Sequence, residues 1–286
     1  MNILDDFKLQ YATGGIAQKL IFWNVGIAIP FFILSAFAPS FFQNVLDWLS
    51  LSSPAVTAVM KPWTFITYAF LHADFWHLLF NMIVLNFSSR LFLTYFTQKQ
   101  FFGLYLLGGI FAGMVFVLTD LFLQNNTILV GASGAIMAVL IAAATYSPLS
   151  EIRLLLIGNV KLWHIALALF VLDLIQIPMN NTGGHLAHIG GSLFGFLYIK
   201  LLQNGTDLSK IVSNIIDYFV SLFSPRKSTP FKKVHKNVNS QPKPAKPVVE
   251  KDSTQKQIDE ILDKISKSGY DSLTKEEKEF LFKVGK

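Results

Sequence analysis

Gly131-Ala132-Ser133-Gly134-Ala135-Ile136-Met137-Ala138-Val139-Leu140-Ile141-Ala142-Ala143-Ala144-Thr145-Tyr146 is a small-residue and apolar run with a serine at its entrance. Further along, a second apolar segment opens with Ala187-His188-Ile189-Gly190-Gly191. Each run by itself is good packing surface, because small residues let helix backbones approach closely in a membrane. A serine on one membrane helix and a histidine on another have the chemistry of a nucleophile and its base, provided they share one depth.

Composition places both runs in a bilayer. The chain has 286 residues, 52% of them hydrophobic and only 15% charged. That is too apolar for an ordinary soluble domain. Residues 1–204 carry 8 of the 24 basic residues and 7 of the 18 acidic ones, so most of the net charge of +6 lies in the remainder. The expected organisation is a membrane domain over 1–204, an amphipathic juxtamembrane helix over 205–224, a basic Pro/Lys-rich linker over 225–252 and a small helical module over 253–286. Cysteine is absent, which excludes a thiol nucleophile, a disulfide framework and a cysteine metal site.

A spanning helix needs roughly 20 mostly apolar residues. Six segments qualify as candidates: about 20–38, 75–96, 101–123, 132–149, 162–178 and 185–203. The fold class is therefore an all-α membrane protein. The first run is long for a signal-peptide core and a proline follows its Ala-x-Ala, so it reads as a retained span. If the six alternate, Lys8, Lys19, Arg90, Lys99, Arg153, Lys161 and Lys200 share one side and only Lys61 falls on the other. The positive-inside rule then puts both termini in the cytoplasm. Spans two, four and six start at the outer face, which brings His77 and Asn81, Ser133, and His188 to one depth.

Polar groups inside a membrane are costly and mark functional sites by default. Ser133 falls in the first turn of its helix, where backbone N–H groups lack intrahelical acceptors and the dipole favours negative charge. A serine there attacks a carbonyl while its own N–H supports the resulting oxyanion. His188 shares a face with Gly191 and Gly195, and span four offers the matching stripe Gly134, Ala138 and Ala142. Two such faces in contact would place His188 beside Ser133. His185, one turn nearer the surface, is the rival base. His77 and Asn81 are i, i+4 and project together, as a hydrogen-bonded pair or as oxyanion donors. His72 lies off that face and reads as structural. Asp173 lies inside span five without an obvious partner; it reads as a proton-relay carboxylate or, being close to the outer end, as a wet interfacial group, and the second reading is preferred. The histidines include no His-Glu-x-x-His and no obvious carboxylate joins them, so no metal and no cofactor is expected.

His72-Ala73-Asp74-Phe75-Trp76-His77-Leu78-Leu79-Phe80-Asn81, then Gly131-Ala132-Ser133-Gly134, then Ala187-His188-Ile189-Gly190-Gly191-Ser192-Leu193-Phe194-Gly195 together resemble the rhomboid intramembrane serine proteases in order, spacing and span assignment. The resemblance covers about residues 20–203. It implies a six-helix core that hydrolyses peptide bonds in or beside transmembrane segments of membrane proteins. Carried over by position, Ser133 is the nucleophile and His188 the base of a dyad without an acidic third member. His77, Asn81 and the Ser133 N–H form the oxyanion hole, with His72, Gly131, Gly134, Gly191 and Gly195 as structural motif positions. Two departures stand out. Trp63 is followed by Thr64 where members often have arginine, which puts the first loop's usual anchoring in doubt. Met137 stands where many members have a tyrosine that packs on the catalytic histidine.

A different class of function is a catalytically inactive rhomboid-like protein that binds or escorts membrane clients. Loss of Ser133 or His188 would favour it, and both are present. In the tail, Leu208, Ile211, Ile215, Phe219 and Leu222 recur at helical spacing. The seven basic residues of 225–249 suit anionic lipid better than nucleic acid. Thr254 with Gln257 and Thr274 with Glu277 fit capping boxes, in a module suited to docking an unknown protein partner. The compact six-span form suggests a bacterial inner membrane.

Overall fold

Lipid offers no partner for backbone polar groups, so apolar segments satisfy their own as helices, and the chain is mostly helical. The structure is a computed structural model that describes residues 2–124, 126–154, 157–179, 181–223 and 253–284. The expected linker at 225–252 lies outside the described residues. The chain divides into two units, Met1–Pro225 and Arg226–Lys286.

In the first unit α1 (Ile3–Thr13) precedes α2 (Ile16–Phe37), and the first loop folds as α3 (Pro39–Leu49), α4 (Ala55–Met60) and α5 (Thr64–Thr67). There follow α6 (Phe75–Leu93), α7 (Gln98–Leu123), α8 (Ser133–Tyr146), α9 (Leu162–Gln176), α10 (Thr182–Gln203) and α11 (Ser209–Phe223). Three of these, α2, α7 and α10, are long and apolar enough to cross a membrane. A fourth span results if the segment Thr64–Phe70 is joined to α6 across a 99° bend. The protein is therefore an integral membrane protein.

The expectation of six full spans is met in part. Helices α8 and α9 have 14 and 15 residues. At 1.5 Å per residue they rise about 21 to 23 Å, short of the ~30 Å hydrocarbon core. The residues expected to lengthen them are used otherwise. After Tyr146 the chain turns at Pro148 into an antiparallel hairpin, β1 (Glu151–Leu154) with β2 (Gly158–Lys161). Before Ser133 it is non-helical, which is tolerated at membrane depth where protein surrounds it.

Helix α8 is the buried axis of the unit, with its residues Gly134 to Leu140 and Ala142 to Ala144 all buried. Its small side chains permit close approach. A Cβ on Gly191 would collide with the carbonyl of Gly134, and one on Gly195 with the carbonyl of Ala138. On the α7 side, Gly108 and Gly109 face Ala138 and Ala135.

The first loop is anchored without an arginine after Trp63. The Trp48 and Trp63 rings stack at 5.5 Å, and Trp63 Nε1 donates to the Trp48 carbonyl at 2.8 Å. Lys61 pairs with Asp47 at 2.7 Å, and Thr67 Oγ1 donates to the Leu49 carbonyl at 2.6 Å. Leu51–Ser52 pairs antiparallel with Ile128–Leu129, which ties the loop to the chain entering α8.

Beyond α10, Asp207 clasps three elements. Its carboxylate accepts from Ser209 Oγ at 2.6 Å, Gln100 Nε2 at 3.2 Å and Tyr198 Oη at 3.3 Å. Burial raises the carboxyl pKa, but these hydrogen bonds outweigh it and hold Asp207 below the usual carboxylate range. Helix α11 starts against Gly103 of α7 and leaves Ile211, Ile215, Phe219 and Leu222 exposed.

The second unit holds α12 (Ser253–Ser268) and α13 (Lys275–Val284), joined through Gly269 at φ +77 and a 3-10 turn, Tyr270–Ser272. Thr274 and Glu277 exchange the bonds of a capping box, at 2.7 and 3.3 Å. Helix α12 begins at Ser253, so Thr254 stands inside its first turn rather than capping it. Lys264 bridges to Glu277 at 2.8 Å.

Candidate active site

The segment entering α8 sets the position of Ser133. Gly131 has φ +124, in the region where a side chain would be strained, and its N–H donates to the Tyr68 carbonyl at 2.9 Å. Tyr68 is itself pinned, its hydroxyl donating to the Gly109 carbonyl at 2.7 Å. A Cβ on Gly131 would stand 2.8 Å from His77 Nε2 and 3.6 Å from Ser133 Oγ. Glycine is thus required twice here, for conformation and for space. Ser133 then opens α8, with its N–H among the helix's first donors.

The close packing of α10 on α8 brings His188 to the serine. Ser133 Oγ and His188 Nε2 are 2.6 Å apart. Both line a cavity of about 250 Å³ with Asn81, Asp173 and His185, walled by apolar side chains including Phe80, Val84, Met137, Leu169 and Leu172. Asn81 is buried and its Nδ2 has no hydrogen-bond partner among the described residues. A buried donor left unpaired is costly unless something else fills it. His77 Nδ1 accepts from the Ala73 N–H at 3.4 Å, which puts the ring proton on Nε2, toward Gly131. His72 is buried, with its ring edge-on to His77 at 5.2 Å.

Asp173 departs from expectation. Instead of a wet interfacial group without a partner, it is 7% exposed, and Oδ1 lies 2.8 Å from His188 Nδ1 and 2.8 Å from His185 Nδ1. The reason is the antiparallel hairpin of α9 and α10. Residues equally far from a tight turn oppose each other, and Asp173 and His185 stand six positions on either side of Met179. The brevity of that turn was the available sequence signal. The expected base and its rival consequently share one carboxylate, and of the two it is His188 that contacts Ser133, at 2.6 Å.

The same three groups bear on metal chemistry. Asp173, His185 and His188 each present a ligand atom, all within 4.8 Å of one another. The carboxylate judged missing from the histidine cluster is therefore Asp173. Hydrogen bonds at 2.8 Å account for the approach of all three.

Comparison with known proteins adds an independent finding. The Rhomboid domain family matches residues 60–204, and a family of unknown function (DUF6576) matches residues 248–284. The chain is similar to presenilin-associated rhomboid-like protein A, mitochondrial, of Danio rerio, 29% identical over 202 residues, which are 70% of this chain and 51% of the relative. It is 28% identical over 165 residues to the presenilin-associated rhomboid-like protein, mitochondrial, of Homo sapiens, covering 56% and 42% of the two chains. RHOMBOID-like protein 6, mitochondrial, of Arabidopsis thaliana is 35% identical over 175 residues, covering 56% and 49%. The chain thus spans about half the length of the curated relatives it matches.

Proposed function

The chain belongs to the rhomboid family, and from that premise we propose that it is an intramembrane serine endopeptidase that cleaves peptide bonds in or next to transmembrane segments. The observation that carries this reading is the 2.6 Å contact between Ser133 Oγ and His188 Nε2, in a cavity that also holds the unpaired Asn81 amide.

In the proposed reaction the Ser133 O–H bond breaks, its proton passes to His188 Nε2, and Oγ bonds to the scissile carbonyl carbon. The carbonyl π electrons move to oxygen. The Ser133 N–H, Asn81 Nδ2 and His77 Nε2–H are the donors that stabilise that charge. Collapse expels the amine, which takes the proton from His188, and water then releases the acyl group by the same steps. Apolar cavity walls suit a substrate that arrives from the bilayer. The polar groups at the cavity, Asn81, Asp173, Gln176 and His185, suit a reaction that consumes water.

The membrane arrangement belongs to the same proposal. We read α2, α6, α7, α8, α9 and α10 as six spans, with α8 and α9 short because their outer ends border a water-filled cavity. Both termini then lie on the basic, cytoplasmic side. A bacterial inner membrane finds no support in relatives whose names say mitochondrial, and the spans name a membrane protein without naming its compartment. The basic 225–252 segment is read as attracted to anionic lipid, and the terminal module as a docking unit for a protein partner.

The test is cleavage of a model transmembrane substrate by purified wild type, Ser133→Ala and His188→Ala. Loss of product in both variants, on the order of 10³-fold or more, is expected for a nucleophile and its base. Product from Ser133→Ala at the wild-type rate removes the mechanism. A wild type that binds the substrate without cutting it favours the client-binding alternative.

A further inference from the structure

We propose that Asp173 is a positioning residue that extends the Ser133–His188 pair into a three-membered chain, with His185 holding the carboxylate from its other side. The inference rests on the protease reading above.

A carboxylate buried within a membrane helix is expensive unless it is paired. Asp173 is nearly inaccessible, and one of its oxygens meets two histidine nitrogens at 2.8 Å each. An ionised carboxylate only accepts, so both histidines must donate an Nδ1–H to it.

To take the Ser133 proton, His188 Nε2 must carry none, which requires the ring proton on Nδ1. Asp173 Oδ1 stands where it selects that tautomer, 2.8 Å from Nδ1, while Nε2 faces the serine at 2.6 Å. The same two bonds fix the ring plane. No aromatic side chain is needed on it, and Met137 is the neighbour that lines the cavity beside it. When His188 becomes an imidazolium, the carboxylate faces the new charge across Nδ1–H without taking the proton.

The turn between α9 and α10 is closed by Thr182 Oγ1 donating to the Ile177 carbonyl at 2.7 Å and by Asn181, at φ +47, capping α10. That fixes the register of the hairpin. His185 and His188, three residues apart, share one face of α10, with their rings at 85° and 5.8 Å. Asp173 lies between them and is held from both.

The experiment uses the full chain in detergent or nanodiscs, with kcat and KM on a model transmembrane substrate, labelling of Ser133 by a fluorophosphonate, and thermal melting. Asp173→Asn is expected to lower kcat by on the order of 10²- to 10⁴-fold, with KM kept within about threefold, because the wrong tautomer is then favoured. Labelling of Ser133 should slow in parallel while the melting curve persists. His185→Ala, which removes a brace but leaves the Asp173–His188 bond, should cost about tenfold or less. Asp173→Glu keeps the charge and should recover part of the loss. A kcat for Asp173→Asn within about threefold of wild type overturns the inference. If that variant does not fold, Asp173→Glu decides: unchanged kcat and labelling overturn the inference, and a loss in both at constant KM supports it. Ser133→Ala separates the two levels. If it is inactive while Asp173→Asn is fully active, only the role of Asp173 falls; if it still cleaves, the protease reading falls first.

Discussion

Asn81 is the residue whose surroundings make its role most directly measurable. Its buried Nδ2 has no hydrogen-bond partner among the described residues, and it lines the same cavity as Ser133 and His188. A buried donor without such a partner, on a residue that lines the proposed reaction cavity, matches an interaction made only in the transition state. Asn81→Ala should therefore reduce kcat by on the order of 10²- to 10³-fold while KM changes little. An equal rise in KM with kcat intact would mean that Asn81 binds substrate instead. The sequence made this residue legible through its i, i+4 spacing from His77. It did not make Asp173 legible, because an aspartate read along one helix shows nothing of the two histidines that face it from the next.

Between elements, the contact that sets the site is the crossing of α8 and α10. Gly191 and Gly195 meet backbone carbonyls of α8 directly, so no side chain fits there. Gly191→Val should displace α10, moving His188 from Ser133, and lower both melting temperature and activity. Overpacking a buried contact costs about 1–3 kcal/mol, and a backbone neighbour cannot yield as a side chain can. Gly26, in α2, is the internal control, since a Cβ there meets nothing within 4 Å. Gly26→Ala should keep activity and gain up to about 1 kcal/mol from helix propensity. If Gly191→Val melts and cleaves like Gly26→Ala, the close packing of α8 and α10 is not what aligns the pair. The stripe of small residues was visible at helical spacing. The ends of α8 and α9 were not, because hydropathy continues past the point where a proline and a hairpin end the helix.

For the molecule as a whole, every side chain of the proposed site belongs to the first unit, Met1–Pro225, while the chain beyond it carries much of the charge. A chain ending after Phe223 keeps the Asp207 clasp and the start of α11 against α7. It should cleave a model substrate with kcat/KM within about twofold of the full chain, as expected when the removed residues share no contact with the site. Complete loss would make the terminal unit part of the catalytic body. The sequence by itself determined that the chain lives in a membrane, which segments are apolar helices and which serine, histidines and asparagine are the candidates for one site. These are properties of composition and period, and they are local. The tertiary structure alone decided how far each helix runs, how the first loop is anchored around Trp48 and Trp63, and that Asp173 sits between His185 and His188. Such facts depend on the register of one helix against another. That register is set by a few glycine contacts and one tight turn, and no single segment contains it.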